Sequence, residues 1–262
     1  MVRGLYTGWT GMVNEQKRLD VITNNMANSD TTGYKKQGVT SQSFDDELTL
    51  RIHTDNEYSG VHYKIGDMNL GVKIGETYHD FSQGSLRETG NTYDLALSGD
   101  GFFTIQFTNK QGETSTKYTR DGSFTVNTEG YLVTKDGDYV LDSNGGTIQI
   151  PGAYTAQSVA IERSGNILVD GNTVATIGIA RFDNPQALLL YGENMYDATD
   201  AAGLQADTTT EIHQGYLEMS NTNVIKEMVD MITITRAYEA GQKIVQTMDE
   251  TLDKSVNEIG RV

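Results

Sequence analysis

The chain contains no cysteine. Disulfide staples, thiolate metal sites and thiol redox chemistry are therefore excluded. Proline is nearly absent, with two in 262 residues, so turns fall to other residue types. No apolar run approaches the roughly 18 residues of a membrane-spanning helix. The first 30 residues are broken by Arg3, Glu15, Lys17, Arg18 and Asp20 and hold no apolar stretch of the secretory type. A cleaved signal is not expected, and a chain leaving the cytoplasm would need another route. Positive charge is also short: 20 basic residues face 36 acidic ones, for a net charge of −16. The deficit is uneven. Residues 1–36 carry +2 and residues 224–262 carry −2, so the stretch between them holds −16. An acidic middle argues against nucleic-acid binding and suits a solvated surface.

What is abundant is glycine, 28 residues in all, together with helical periodicity at the two ends. Leu5, Met12, Leu19 and Met26 recur at steps of seven, with Trp9, Val13 and Ile22 widening the stripe. Asn24, Asn25 and Asn28 gather where this helix should finish, because asparagine tolerates left-handed backbone and bonds to nearby main chain. At the other end Val224, Met231, Tyr238, Val245, Leu252 and Ile259 lie seven apart. Asn221 or Asn223 can cap that helix, and Glu227 and Asp230 sit near the positive end of its dipole. The set four residues further on, Met228, Thr235, Gln242, Asp249 and Val256, makes a poor second seam for a two-stranded coiled coil. Two long amphipathic helices, each under-equipped alone, call for partners, and both seven-residue stripes are the candidate subunit-assembly surface.

Between the ends the period changes. From about residue 70 to 223, Asp-Gly, Glu-Gly and Gly-Gly turns separate short runs rich in β-branched and aromatic residues, as in YTRDGSFTVNTEGYLVTKDGDYVLDSNGG over 118–146. Such spacing predicts successive hairpins. Phe102, Phe103, Ile105 and Phe107 suit a strand buried on one or both faces. The expected fold is mainly β with helical termini: an axial helix and turn over 1–36, an extended connector over 37–69, an outer β-domain over 70–223 and a second axial helix over 224–262.

No constellation for catalysis emerges. His53, His62, His79 and His213 are scattered and fit no metal motif, each reading as a surface or satisfied polar residue. Asp136, Asp138, Asp142 and Asn144 miss the calcium-loop spacing and read as turn formers. No serine has a nucleophile-elbow context. Neither enzyme activity, metal nor cofactor is expected.

Three separated blocks carry a resemblance. LDVITNNMANSDTTGYKK (19–36) resembles the signature of the bacterial flagellar axial proteins, the rod and hook family, at Asn24, Asn25, Ala27, Asn28, Thr32, Gly33, Tyr34 and Lys35, with Met26 in place of the usual leucine. DFSQGSLRETGNTYDLALSGDGFFTI (80–105) and YTRDGSFTVNTEGYLVT (118–134) resemble the family's central segments. The C-terminal block matches at Gly215, Glu218, Ser220, Asn221, Asn223, Arg236, Ala237, Tyr238 and Glu239. Length and the stretch between Lys36 and Asp80 are most similar to the distal-rod branch, with the proximal-rod branch as the alternative. The resemblance implies a structural subunit that passes through the flagellar type III export apparatus without a cleaved signal. It implies self-assembly into a hollow, torque-transmitting shaft alongside other rod and hook proteins, with paired terminal helices inside and the β-domain outside. A surface binding module with a helical stalk is the competing reading from another class. It would show a pocket on the β-domain and no assembly of the ends.

Overall fold

The computed structural model describes residues 2–51, 63–151, 159–192, 194–206 and 210–259. Helix α1 runs Val2–Ala27 and helix α2 runs Val224–Lys254, closed by a π-helical turn over Ser255–Ile259. Strands occupy about half of the described chain between them. The fold is thus mainly β with one helix at each end. Met1–Met26, Gln37–Tyr78 and Val224–Val262 form one compact unit, and Ala27–Lys36 with His79–Asn223 form a second.

In the first unit α1 shows three faces. One is polar and meets the 37–78 segment: the Thr10 hydroxyl donates to the Leu70 carbonyl at 3.4 Å, and the Asn14 amide donates to Ser41 Oγ at 3.0 Å. A second face carries Gly4, Gly8 and Met12 against α2. A Cβ on Gly4 would fall 2.3 Å from Met248 Cε, one on Gly8 3.1 Å from Val245 Cγ2, and one on Gly241 2.9 Å from Met12 Cγ. Glycine costs about 1 kcal/mol of helix propensity relative to alanine, and here it makes room for the methionines opposite. The third face, Tyr6, Trp9 and Val13, is exposed, with the two rings 5.8 Å apart.

The inward face of α2 differs from the expected one. Ile234 and Glu227 are its buried residues, and Gly241 and Met248 continue their line at steps of seven. The second seam therefore lies three residues after the Val224–Leu252 stripe, not four, and it is completed by what α1 presents rather than by its own bulk. Glu239 and Lys243, and Glu250 and Lys254, stand four residues apart on α2 but close no ion pair among the described residues.

Residues 37–69, expected as a connector, are extended but paired. Gln37–Ser43 joins Val72–His79, and Glu47–Arg51 pairs antiparallel with Tyr63–Met68. Asn69 holds the bend between them, its amide donating to the Phe44 carbonyl at 2.6 Å. Two-stranded ribbons bury little, so their apolar pattern is weak in sequence. Ile52, His53, Tyr58 and His62 lie outside the described residues.

The second unit is built on a nine-stranded sheet with smaller two- and three-stranded sheets around it. Phe102–Thr108 is its central strand, pairing antiparallel with Thr114–Thr119 on one side and with Tyr139–Val140 and Ile179–Phe182 on the other. Of the two open readings, burial on one face or on both, the strand takes the second. Phe103 and Ile105 enter one apolar cluster with Leu95, Leu97, Phe124 and Leu132, and Phe102 enters another with Tyr118, Phe182 and Tyr196. Burial of each such side chain contributes about 1.5–3 kcal/mol.

Asn24, Asn25 and Asn28 do not take left-handed backbone. Among the described residues only Asp170 and Asn194 do so without being glycine. Asn24 and Asn25 lie inside α1, and Asn28 follows it. Asn25 instead makes a two-point clasp: its amide donates to the Gln37 carbonyl at 2.8 Å, and its Oδ1 accepts the Gln37 N–H at 2.9 Å. It thereby pins the returning chain to the end of the helix.

Candidate functional site

Among the described residues no cluster of His, Asp or Glu could hold a metal. Two features carry chemistry: a buried ionic cluster in the second unit and exposed apolar stripes in the first.

Glu218 is fully buried, and each carboxylate oxygen serves a different segment. Oε1 accepts from Lys35 Nζ at 2.6 Å and from the Gly84 N–H at 2.9 Å, and Oε2 accepts from Arg120 Nη1 at 3.2 Å. The side chains of Lys35, Arg120 and Glu218 are 1%, 2% and 0% exposed, so the cluster is sealed from water. Lys35 Nζ also donates to the Ser82 carbonyl at 2.8 Å, and Arg120 Nη2 to the Gly99 carbonyl at 2.8 Å. Arg120 lies over the Phe102 ring, 5.2 Å from its centre. Desolvation pulls the Lys35 ammonium below the usual lysine range, with Glu218 opposing that shift. A lone buried charge is prohibitive, and a paired one is tolerated when its remaining donors are satisfied.

Around the cluster the signature residues bind main chain. The Gly33 N–H donates to the Glu218 carbonyl at 2.9 Å. Asn221 Oδ1 accepts the Lys36 N–H at 2.8 Å while its amide donates to the Asp80 carbonyl at 2.8 Å. Its side chain is thus committed away from the α2 cap. Ser220 Oγ accepts the Thr222 N–H at 3.2 Å. Tyr34 is buried, Asn28 accepts the Thr31 hydroxyl at 3.2 Å, and Asn223 directly precedes α2. Arg236, Ala237 and Glu239 are exposed on α2, as is Ala27 at the end of α1.

His79 departs from the satisfied-histidine expectation. Its Nδ1 is buried without a hydrogen-bond partner among the described residues, and its ring stands edge-on to Tyr196 at 5.8 Å. Burial lowers its pKa, partly offset by a bond to the Lys35 backbone. The folded-state value lies below the unfolded one, about 6.5, so folding favours the neutral ring. Stability from this site is complete above that value and declines as pH falls below it. Urea midpoints are therefore expected to be lower at pH 5 than at pH 7.5, with the difference shrinking in His79→Gln. An unchanged difference would place the pH dependence elsewhere. Asp80, whose carboxyl is held down chiefly by the Ser82 N–H, acts in a separate, more acidic window.

The sequence-predicted assembly residues fall on inward or flanking positions. Leu5, Met12, Leu19, Met26, Val224, Met231, Val245 and Leu252 are half-buried, Tyr238 is exposed, and Ile259 ends the last turn. The exposed apolar side chains flank those stripes: Ile225, Met228, Val229 and Ile232 on α2, and Tyr6, Trp9 and Val13 on α1, of which the sequence reading left out Ile225, Val229 and Tyr6. Their i, i+3, i+4, i+7 spacing was readable in sequence. So was the occurrence of one opposite or matching charge in each of three motif blocks, Lys35, Arg120 and Glu218.

Three family models match the chain in order. They are the flagella basal body rod protein over 5–35, the flagellar hook protein FlgE/F/G D1 domain over 96–169, and the flagellar basal body rod FlgEFG protein C-terminal over 213–259. Each matched segment supplies one member of the buried cluster. Among curated relatives, the flagellar basal-body rod protein FlgG of Bacillus subtilis is 38% identical over 98% of this chain and 99% of its own length. The rod protein FlgF of Caulobacter vibrioides is 34% identical over 100% of both chains. The FlgG of Borreliella burgdorferi is 34% identical over 96% of this chain and 97% of its own length. With matches of that extent at both ends and through the middle, the chain belongs to the flagellar basal-body rod protein family and is a structural subunit of the flagellar rod.

Proposed function

We propose that the chain builds the distal part of the rod as a helical homopolymer, a hollow shaft that carries torque towards the hook. In this reading residues 1–36 and 224–262 are axial and pair as a coiled-coil-like inner tube. Residues 37–69 connect them to residues 70–223, which face outward. The subunit reaches its place through the flagellar type III route without a cleaved signal, and its partners are further copies, other rod and hook proteins and the export apparatus. The observation that carries the reading is the pair of exposed apolar stripes, Tyr6–Trp9–Val13 and Ile225–Met228–Val229–Ile232. Apolar surface left uncovered in one copy supplies the drive for a non-closing, head-to-tail contact. A proximal position is the second reading, supported by the full-length match to the FlgF relative. Immunogold labelling of isolated basal bodies with an antibody to residues 79–223 distinguishes them. Label confined to the hook-side segment of the shaft is expected, label at its base would favour the proximal reading, and label absent from the shaft would refute both.

A further inference from the structure

Residues 211–221 close the second unit from its C-terminal side. Glu211–Gln214 pairs antiparallel with Leu95–Ser98, which carries Ile212 into the apolar core. Tyr216–Glu218 pairs with Leu86–Glu88, and the Met219 N–H donates to the Ser85 carbonyl at 2.9 Å. Glu218 then pairs with two cations that stand 183 and 98 residues earlier in the chain. Without it, Lys35 would keep the Ser82 carbonyl and Arg120 the Gly99 carbonyl and the Phe102 ring in a dry interior, with the exposed carboxylate of Asp80 the weakest of the charges acting on Lys35. Two like charges buried together without a counter-ion oppose compaction strongly. The strand Leu95–Ser98 would meanwhile lack the partner that covers its edge.

We infer that this run is a closing strap, and that the second unit does not consolidate its core until residues 211–221 are in place. A chain delivered N-terminus first then stays unfolded until nearly its whole length has emerged. Long-range closure of this kind also makes folding slow, because loop entropy is lost before the contacts form. Only the biological consequence, a subunit kept threadable during export, rests on the rod reading. The folding order stands on the contacts alone.

Pulse-labelled hydrogen exchange during refolding of the full chain from urea tests the order directly. The amides of Phe103, Ile105 and Leu132 are expected to gain protection in the same phase as Ile212 and Glu218. Protection of the first three in an earlier phase would overturn the inference. At equilibrium, Glu218→Gln should lower protection at Phe103 and Ile105 on the order of 100-fold or more. A loss confined to 82–86 and 211–221 would also overturn it. The variant Lys35→Met/Arg120→Met/Glu218→Met removes all three charges and should return protection to within about tenfold of the parent, since apolar replacement of a buried ionic cluster is tolerated. A triple variant as unprotected as Glu218→Gln would show that charge neutralisation is not what closes the unit. These readouts come from purified monomer, so they succeed or fail independently of rod assembly, which the immunogold experiment addresses.

Discussion

Cells whose only copy carries Val229→Asp together with Ile232→Asp are expected to be non-motile and to lack hooks, while the purified variant melts like the parent. Val229 and Ile232 are 57% and 54% exposed, so charges there are solvated in the monomer and change its stability by no more than about 0.5 kcal/mol. In a dry contact between copies each unpaired carboxylate costs several kcal/mol, and every 1.4 kcal/mol is about tenfold in affinity. Two per subunit, repeated along a polymer, place the critical concentration out of reach. Met231→Asp and Val245→Asp provide the contrast. Both residues are half-buried, and Val245 lies against Gly8, so these variants should lose monomer stability as well as motility. Wild-type swimming by the Val229/Ile232 variant would mean that this flank is not a subunit contact.

That contrast marks what was readable in the sequence and what was not. Both helices, the turn-rich β middle and the burial of the Phe102–Thr108 strand follow from local pattern, whereas the covering of both its faces does not. Nor does the partner seam of α2. Glu227 and Gly241 look like defects in an apolar line until Asn25 is seen to donate to Glu227 at 3.5 Å and Met12 is seen to fill the space over Gly241. The ribbons of 37–78 escaped for a related reason, since strands held mainly by hydrogen bonds and by polar contacts to α1 need little apolar alternation. The ionic cluster is the extreme case. Lys35 and Glu218 stand in separate signature blocks and Arg120 in a third, and only a fold joining positions far apart in the chain makes them one sealed group. Asn25 similarly serves Gln37 rather than the helix end it was read as finishing, and Asn221 serves Lys36 and Asp80 rather than the helix start it was read as capping.

Gly33→Ala is expected to remove most of the stability of the second unit, and Gly90→Ala to remove little. Both glycines have left-handed backbone, with φ of +69° and +71°, so each substitution carries the same conformational penalty of about 1–2 kcal/mol. Their surroundings differ. A Cβ on Gly90 meets nothing within 4 Å, whereas one on Gly33 would lie 2.4 Å from the Asp121 N and 2.6 Å from the Arg120 carbonyl carbon. Those atoms are main chain and cannot swing aside. Relief requires residues 32–36 to move away from Arg120–Asp121, which stretches the Gly33 N–H to Glu218 carbonyl bond of 2.9 Å and the Lys35–Glu218 contact of 2.6 Å. The steric loss is thereby converted into an opened ionic cluster, and breaking a buried ion pair costs about 3–5 kcal/mol. Against a typical net stability of about 5–15 kcal/mol, that leaves Gly33→Ala marginal at 37 °C. Urea unfolding followed by far-ultraviolet circular dichroism gives both values in one buffer. Equal destabilisation by the two substitutions would show that the backbone at Arg120–Asp121 yields, and that this turn requires the left-handed conformation of Gly33 rather than its proximity to Arg120.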